Sequence, residues 1–195
     1  IQDFTDEYLI IAKSLCRTGR FFFVGDIGQR IYDRDHNPRL VGIVPERAEL
    51  RKSYRMFRTP RYVGELATRF ILNDPISRRE FKLHGYAEDF KPSNDLPTLP
   101  EIVRAAKPAR AIRDKILSLI KGSYSAEDVM VVASGDLLSE IAKSLEAAEI
   151  SVLRGEPERD VSAVVLVDFM SVKGLEREVV FVTGIEGLYE GSKPE

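Results

Sequence analysis

Three polar clusters carry residue types from which a nucleotide-handling site could be built. In the first, Gly25-Asp26-Ile27-Gly28-Gln29 is followed by Ile31-Tyr32. A carboxylate and a carboxamide three residues apart in a glycine-rich loop could both face a bound nucleotide. The Gln29 carboxamide suits contact with a terminal phosphate or orientation of an attacking water. The other reading is a turn closing a strand, for which Gly and Asp are the usual residues. In the second cluster, Leu50-Arg51-Lys52-Ser53-Tyr54-Arg55 runs on to Arg58-Thr59-Pro60. An aromatic beside an arginine can stack on a base while the guanidinium reaches a phosphate and stabilises transition-state charge. Such a pair can equally be a solvated surface feature. The third is Ser171-Val172-Lys173-Gly174-Leu175-Glu176. Lys173 could hold a phosphate, Gly174 would allow close backbone approach, and Glu176 could accept from ribose hydroxyls. An ordinary polar loop between strands remains open.

These clusters need elements to hold them. Phe21-Phe22-Phe23-Val24 ends at Gly25-Asp26, which predicts a doubly buried strand with the first cluster at its carboxyl end. A helix is predicted over residues 5–16. Thr5 caps it, Asp6 and Glu7 occupy its first turn, and Tyr8, Ile11, Ala12 and Leu15 form its inner face. Thr59-Pro60 predicts another helix start, with Thr at the cap and Pro at the first helical position. Val63, Leu66, Ala67 and Phe70 would face inward. Residues 73–108 are richer in Pro, Ser and Asn and read as an excursion, with only short strand candidates such as 101–103. Beyond it, Ile112, Ile116, Leu119 and Ile120 mark a helix, and Val129-Met130-Val131-Val132 a buried strand. Leu137, Ile141, Leu145 and Ala148 mark the next helix, and residues 151–153, 164–167 and 179–182 further strands. Helices alternating with buried strands predict an α/β fold with a mainly parallel sheet flanked by helices. Ligands of such sheets sit beyond the carboxyl ends of the strands.

Composition sets the outer bounds. A length of 195 residues suits one domain, or one domain plus a piece of another. With 44% hydrophobic residues, a sizeable core is expected rather than disorder. A net charge of -2 neither advertises nor excludes nucleic acid, because a protein that holds DNA across two domains need not be basic in each. The single cysteine, Cys16, reads as a buried small hydrophobe in a reducing compartment. No apolar run approaches the roughly 20 residues of a membrane span, and no signal peptide is evident. A cytoplasmic protein without a membrane partner is expected. His36 and His84 show no metal-ligand spacing with each other or with Cys16, so no metal site is expected in the chain.

In combination the clusters resemble a known pattern. Val24-Gly25-Asp26-x-x-Gln29-x-Ile31-Tyr32 is similar to the GDxxQxIY segment of UvrD/Rep-type superfamily 1 DNA helicases. Leu50-x-x-Ser53-Tyr54-Arg55 resembles their next element, usually LxxNYR. Val172-Lys173-Gly174-Leu175-Glu176, with Val179-Val180-Phe181-Val182-x-Gly184 behind it, resembles their AKGLEFxxVFxxG element. Gln2-Asp3-Phe4 reads as the tail of their DExQD box. The resemblance spans nearly the whole chain, and the KGLE segment is its most specific part.

The resemblance implies a RecA-like fold of the P-loop NTPase type. Residues 1–45 would close the first RecA-like domain, and residues 46–195 would form the second, stopping before the final arginine motif. Gln29 would contact the γ-phosphate and the catalytic water, with Asp26 in the same loop. Tyr54 would stack on adenine and Arg55 would contact the γ-phosphate. Glu176 would bind near the ribose, and Gln2 beside the metal-binding acidic pair. Tyr32, Lys173 and Gly174 would lie on the DNA side or couple it to the nucleotide. The implied protein is an ATP-dependent 3′→5′ translocase or helicase on single-stranded or partly duplex DNA. ATP and Mg²⁺ would bind in its interdomain cleft.

The chain departs from the family at several points. Asp33-Arg34-Asp35-His36-Asn37 stands where a glycine, an aromatic and RGA usually follow. Asp168-Phe169-Met170 replaces TxH, removing a hydroxyl and an imidazole expected to face DNA, and Ser53 replaces an Asn. The Asp168 carboxylate would repel phosphate. No GxxxxGK[ST] occurs in the 195 residues. The chain by itself is therefore expected to hold ATP weakly and to be inactive without the missing N-terminal RecA-like domain. The stretch from Arg55 to Lys173 suits a RecA-like core but is too short for the large subdomain that UvrD and Rep insert. A helicase–nuclease subunit, an RNA-directed motor of the same superfamily, and a non-motor interaction module that keeps the fold are the alternatives.

Overall fold

The computed structural model describes residues 4–18, 55–56, 59–73, 75, 78–79, 91–92, 99–155 and 161–185. The chain divides into two compact units, Ile1–Ile102 and Val103–Glu195. The domain boundary expected between residues 45 and 46, and the strand expected at residues 21–24, lie outside the described residues.

In the first unit, helix α1 spans Asp6–Leu15 with an extended Thr5 at its N-cap position, as the sequence predicts, but the Thr5 side chain makes no cap bond. Its buried face is not the expected one. Leu9 is 1% exposed, whereas Tyr8, Ile11 and Leu15 are 57, 54 and 78% exposed. Residues 8–12 are all apolar, so their spacing fits more than one stripe. The stripe turned inward runs through Leu9, half-buried Ala12 and half-buried Cys16. The Cys16 Sγ lies 3.6 Å from the Thr18 hydroxyl. Helix α2 spans Arg61–Asn73. The Pro60 carbonyl accepts its first bond, from the Gly64 N–H, so Pro60 rather than Thr59 stands at the cap. The expected inner face is again turned out, with Val63, Leu66 and Phe70 37, 42 and 52% exposed and Gly64 buried. Periodicity locates an apolar stripe but not what covers it. Strand β1, Arg55–Met56, pairs in parallel with β2, Lys91–Pro92. No strand forms over residues 101–103, where Ile102 and Val103 are 83 and 64% exposed. A strand needs a neighbouring ladder, and none of the described strands pairs with this stretch.

The second unit follows the predicted alternation closely. Helix α3 spans Pro108–Lys121, with Pro108 in its first turn, and α4 spans Gly135–Glu146. Strands β3 (Val129–Val132), β4 (Val152–Arg154), β5 (Val164–Val167) and β6 (Val179–Val182) pair in parallel throughout, in the order β4-β5-β3-β6. Every residue of β3 and β5 is buried, which is why these central strands are unbroken apolar runs. Alternate side chains go to opposite faces. Val129, Val131, Val164 and Leu166 join Ile112 and Ile116 of α3 and Ile141, Ala142 and Leu145 of α4 in one cluster. Met130, Val132, Val165 and Val167 form the other, closed by Phe169, Val172 and Leu175. Thus helices cover one face, and the connection between β5 and β6 does a helix's work on the other.

Among the described residues no helix is long and apolar enough to cross a membrane.

Candidate functional site

A fully parallel sheet brings all its strand ends to one edge. Here the ladder continues one residue past each end. The Ala133 N–H donates to the Val167 carbonyl at 3.2 Å, the Gly155 N–H to Leu166 at 3.1 Å, and the Thr183 N–H to Val132 at 3.0 Å. The edge therefore carries Ser134, Gly155, Asp168 and Thr183 side by side, where ligands of such folds bind. Gly184 has φ +73°, and a Cβ placed there would stand 3.1 Å from Leu137 Cδ2 and 3.5 Å from Ser134 Oγ. Glycine at this position lets the chain leaving β6 pass over the first turn of α4.

The connection over residues 168–178 starts at this edge and returns to the opposite one. Asp168 anchors its first turn. Its Oδ1 accepts the N–H groups of Met170 at 2.8 Å and Ser171 at 2.9 Å, and its Oδ2 accepts the Ser171 hydroxyl at 3.0 Å. These bonds, led by that from the Ser171 hydroxyl, hold the carboxyl below its ordinary 3.8. The Asp168 carbonyl also accepts the Val172 N–H at 3.1 Å, and the Leu175 N–H then closes on Val172 at 3.0 Å. Gly174, inside that second turn, has φ +83° with open space around it. Its glycine is required by conformation rather than by crowding. At the far end, Arg177 donates to the Glu176 carbonyl at 2.9 Å. Asp128, just before β3, is lowered first by the Ser125 N–H, then by the Ser125 hydroxyl, with a smaller contribution from the Arg177 charge. Arg177 therefore marks the amino-terminal edge of the sheet.

Of the residues singled out in the sequence, Lys173, Gly174 and Glu176 share this one connection. Lys173 is half-buried, and Gly174 and Glu176 are exposed. The apolar residues between and around them, Val172 and Leu175, point into the sheet-face cluster. Arg55 belongs to the first unit, where its main chain pairs with Lys91. Gln2, Asp26, Gln29, Tyr32 and Tyr54 lie outside the described residues. Among the described residues, no group of three or more His, Cys, Asp and Glu side chains is placed to hold a metal ion.

From the sequence, Asp168 is expected only to repel phosphate. Its carboxylate is instead committed to its own loop. The signal was present: an Asp three residues before a Ser, directly after a strand, favours this kind of turn. Nothing in the chain signalled the approach of Gly184 to Ser134, because it joins separate elements. No protein-family model, curated protein or solved structure matches this chain.

Proposed function

We propose that this chain is part of an ATP-dependent DNA helicase or translocase of the UvrD/Rep type, with a RecA-like fold, moving 3′→5′ on single-stranded DNA. One observation carries the reading more than any other. The Val172-Lys173-Gly174-Leu175-Glu176 segment connects two strands of one parallel sheet, and Gly174 and Gly184, the two glycines of the element it resembles, both have positive φ. The reading gives Lys173 and Gly174 to the DNA side and Glu176 to the ribose side. One short connection, clamped onto the sheet by Phe169, Val172 and Leu175, would then link the two ligands. Bound ATP and Mg²⁺ would supply the hydrolysis that drives opening and closing. Gln29 and Arg55 would sense the γ-phosphate, and Tyr54 would hold the base.

The test uses the intact parent protein, assayed for DNA-stimulated phosphate release. Arg55→Ala should lower kcat by roughly 10³-fold with modest loss of ATP affinity, as for a transition-state arginine. Tyr54→Ala should raise the KM for ATP. Unchanged turnover in the Arg55 variant removes that role. The 195-residue chain alone should hydrolyse no ATP, for want of a phosphate loop. DNA-stimulated turnover by that chain at catalytic rates would sink the reading.

A further inference from the structure

We propose that Asp168 is the positioning residue of the Lys173-Gly174-Leu175-Glu176 segment, holding it in its nucleic-acid-binding conformation through the hydrogen bonds of its carboxylate rather than through its charge. The inference rests on the functional reading above and adds a residue to it. Asp168 is the first residue after the central strand β5. The main-chain N–H groups of Met170, Ser171 and Val172 all end on Asp168, the first on its side chain, the second on both side chain and carbonyl, the third on its carbonyl. Val172 in turn accepts the Leu175 N–H, closing the turn that contains Lys173 and Gly174. Two successive turns thus lead from Asp168 to Lys173, the first closed by its carboxylate and carbonyl together. The apolar cluster holds Phe169, Val172 and Leu175, and the main-chain bonds from Asp168 run between these anchors.

The two properties of the carboxylate separate cleanly by substitution. Asn keeps the oxygen that accepts both N–H groups and drops the charge, and the Ser171 hydroxyl can rotate to accept from its amide. Glu keeps the charge and displaces the oxygens by one methylene. Ala removes both. The experiment compares the 195-residue chain with Asp168→Ala, Asp168→Asn and Asp168→Glu. It measures amide hydrogen exchange across residues 169–176 and binding of a labelled oligothymidylate by anisotropy.

Ala and Glu should speed exchange of the Met170 amide by about tenfold, that of Ser171 less because it keeps the Asp168 carbonyl, and weaken oligothymidylate binding about tenfold, as expected for losing bonds to a charged acceptor. Asn should exchange like the wild type and bind at least as tightly, since a negative charge near phosphate has gone. Wild-type behaviour in Glu with loss in Asn would overturn the proposal in favour of a role for charge. Unchanged exchange in all three variants would overturn it outright. A wild-type chain that binds no oligothymidylate would instead defeat the DNA reading. In that case the exchange pattern alone still decides whether Asp168 sets the loop.

Discussion

Asp168 and Glu149 show how one residue can set a local conformation by opposite means. The Asp168 carboxylate supplies an acceptor to the Met170 N–H and a second one to the Ser171 N–H, just past the end of β5. Its depressed carboxyl adds stability to the loop above the ordinary carboxylate range, and this is lost as pH falls through the folded value, below 3.8. Glu149 meets a geometric demand without the residue best suited to it. It follows α4 with φ 60°, in the left-handed region, while the Ile150 N–H closes on the Leu145 carbonyl at 3.1 Å. Glycine is the usual residue there, because a Cβ crowds the next carbonyl. Glu149→Gly should therefore raise stability by about 0.5–1 kcal/mol after the entropy gained by the unfolded chain is subtracted. A urea midpoint that rises with an unchanged slope would show it, and a fall would mean that the Glu149 side chain makes an unrecognised contribution.

Among the elements, the helices of the second unit are held by packing rather than by caps. Neither α3 nor α4 has a side-chain cap bond at its start. Ile116, Ile141 and Leu145 are each 0% exposed and meet Val129, Val131, Val164 and Leu166 across the sheet face. Ile141→Ala should cost about 2–5 kcal/mol by lost transfer energy and the cavity left behind. Chemical denaturation would measure it. A loss under about 1 kcal/mol would mean that this face repacks freely. The opposite face depends on the 168–178 connection, whose Phe169, Val172 and Leu175 contribute apolar cover without a helix. At its margin Val180 and Val182 of β6 stay 45 and 54% exposed.

For the molecule as a whole, the link between Ile1–Ile102 and Val103–Glu195 is the exposed stretch around residue 102. Leu99, Ile102 and Val103 are 70, 83 and 64% exposed, and all of residues 101–105 lack regular structure. Extended, exposed backbone is what proteases cut first. Brief thermolysin treatment should cleave between residues 99 and 106, leaving a product that retains β3–β6 and melts cooperatively. First cuts inside residues 108–154 would contradict the division into units.

The second unit was legible from the sequence almost residue by residue. Its strands are continuous apolar runs, its helices show a single stripe, and each run is separated by turn residues, so local pattern and final burial agree. In the first unit the apolar spacing marks helices α1 and α2 but not the faces they bury. Tyr8, Ile11 and Leu15, and Val63, Leu66 and Phe70, are apolar at helical spacing, yet which stripe is covered depends on partners distant in the chain. The candidate site divides in the same way. The residue types of the KGLE segment, and the glycines that its turns demand, are local facts written in the chain. The turn that Asp168 closes on three N–H groups is local as well, and an Asp three residues before a Ser after a strand already favours it. The seating of Gly184 against Ser134 arises only when parallel pairing brings separate strand ends to one edge. Close approaches of that kind are properties of distance in space, which a string of residues does not contain.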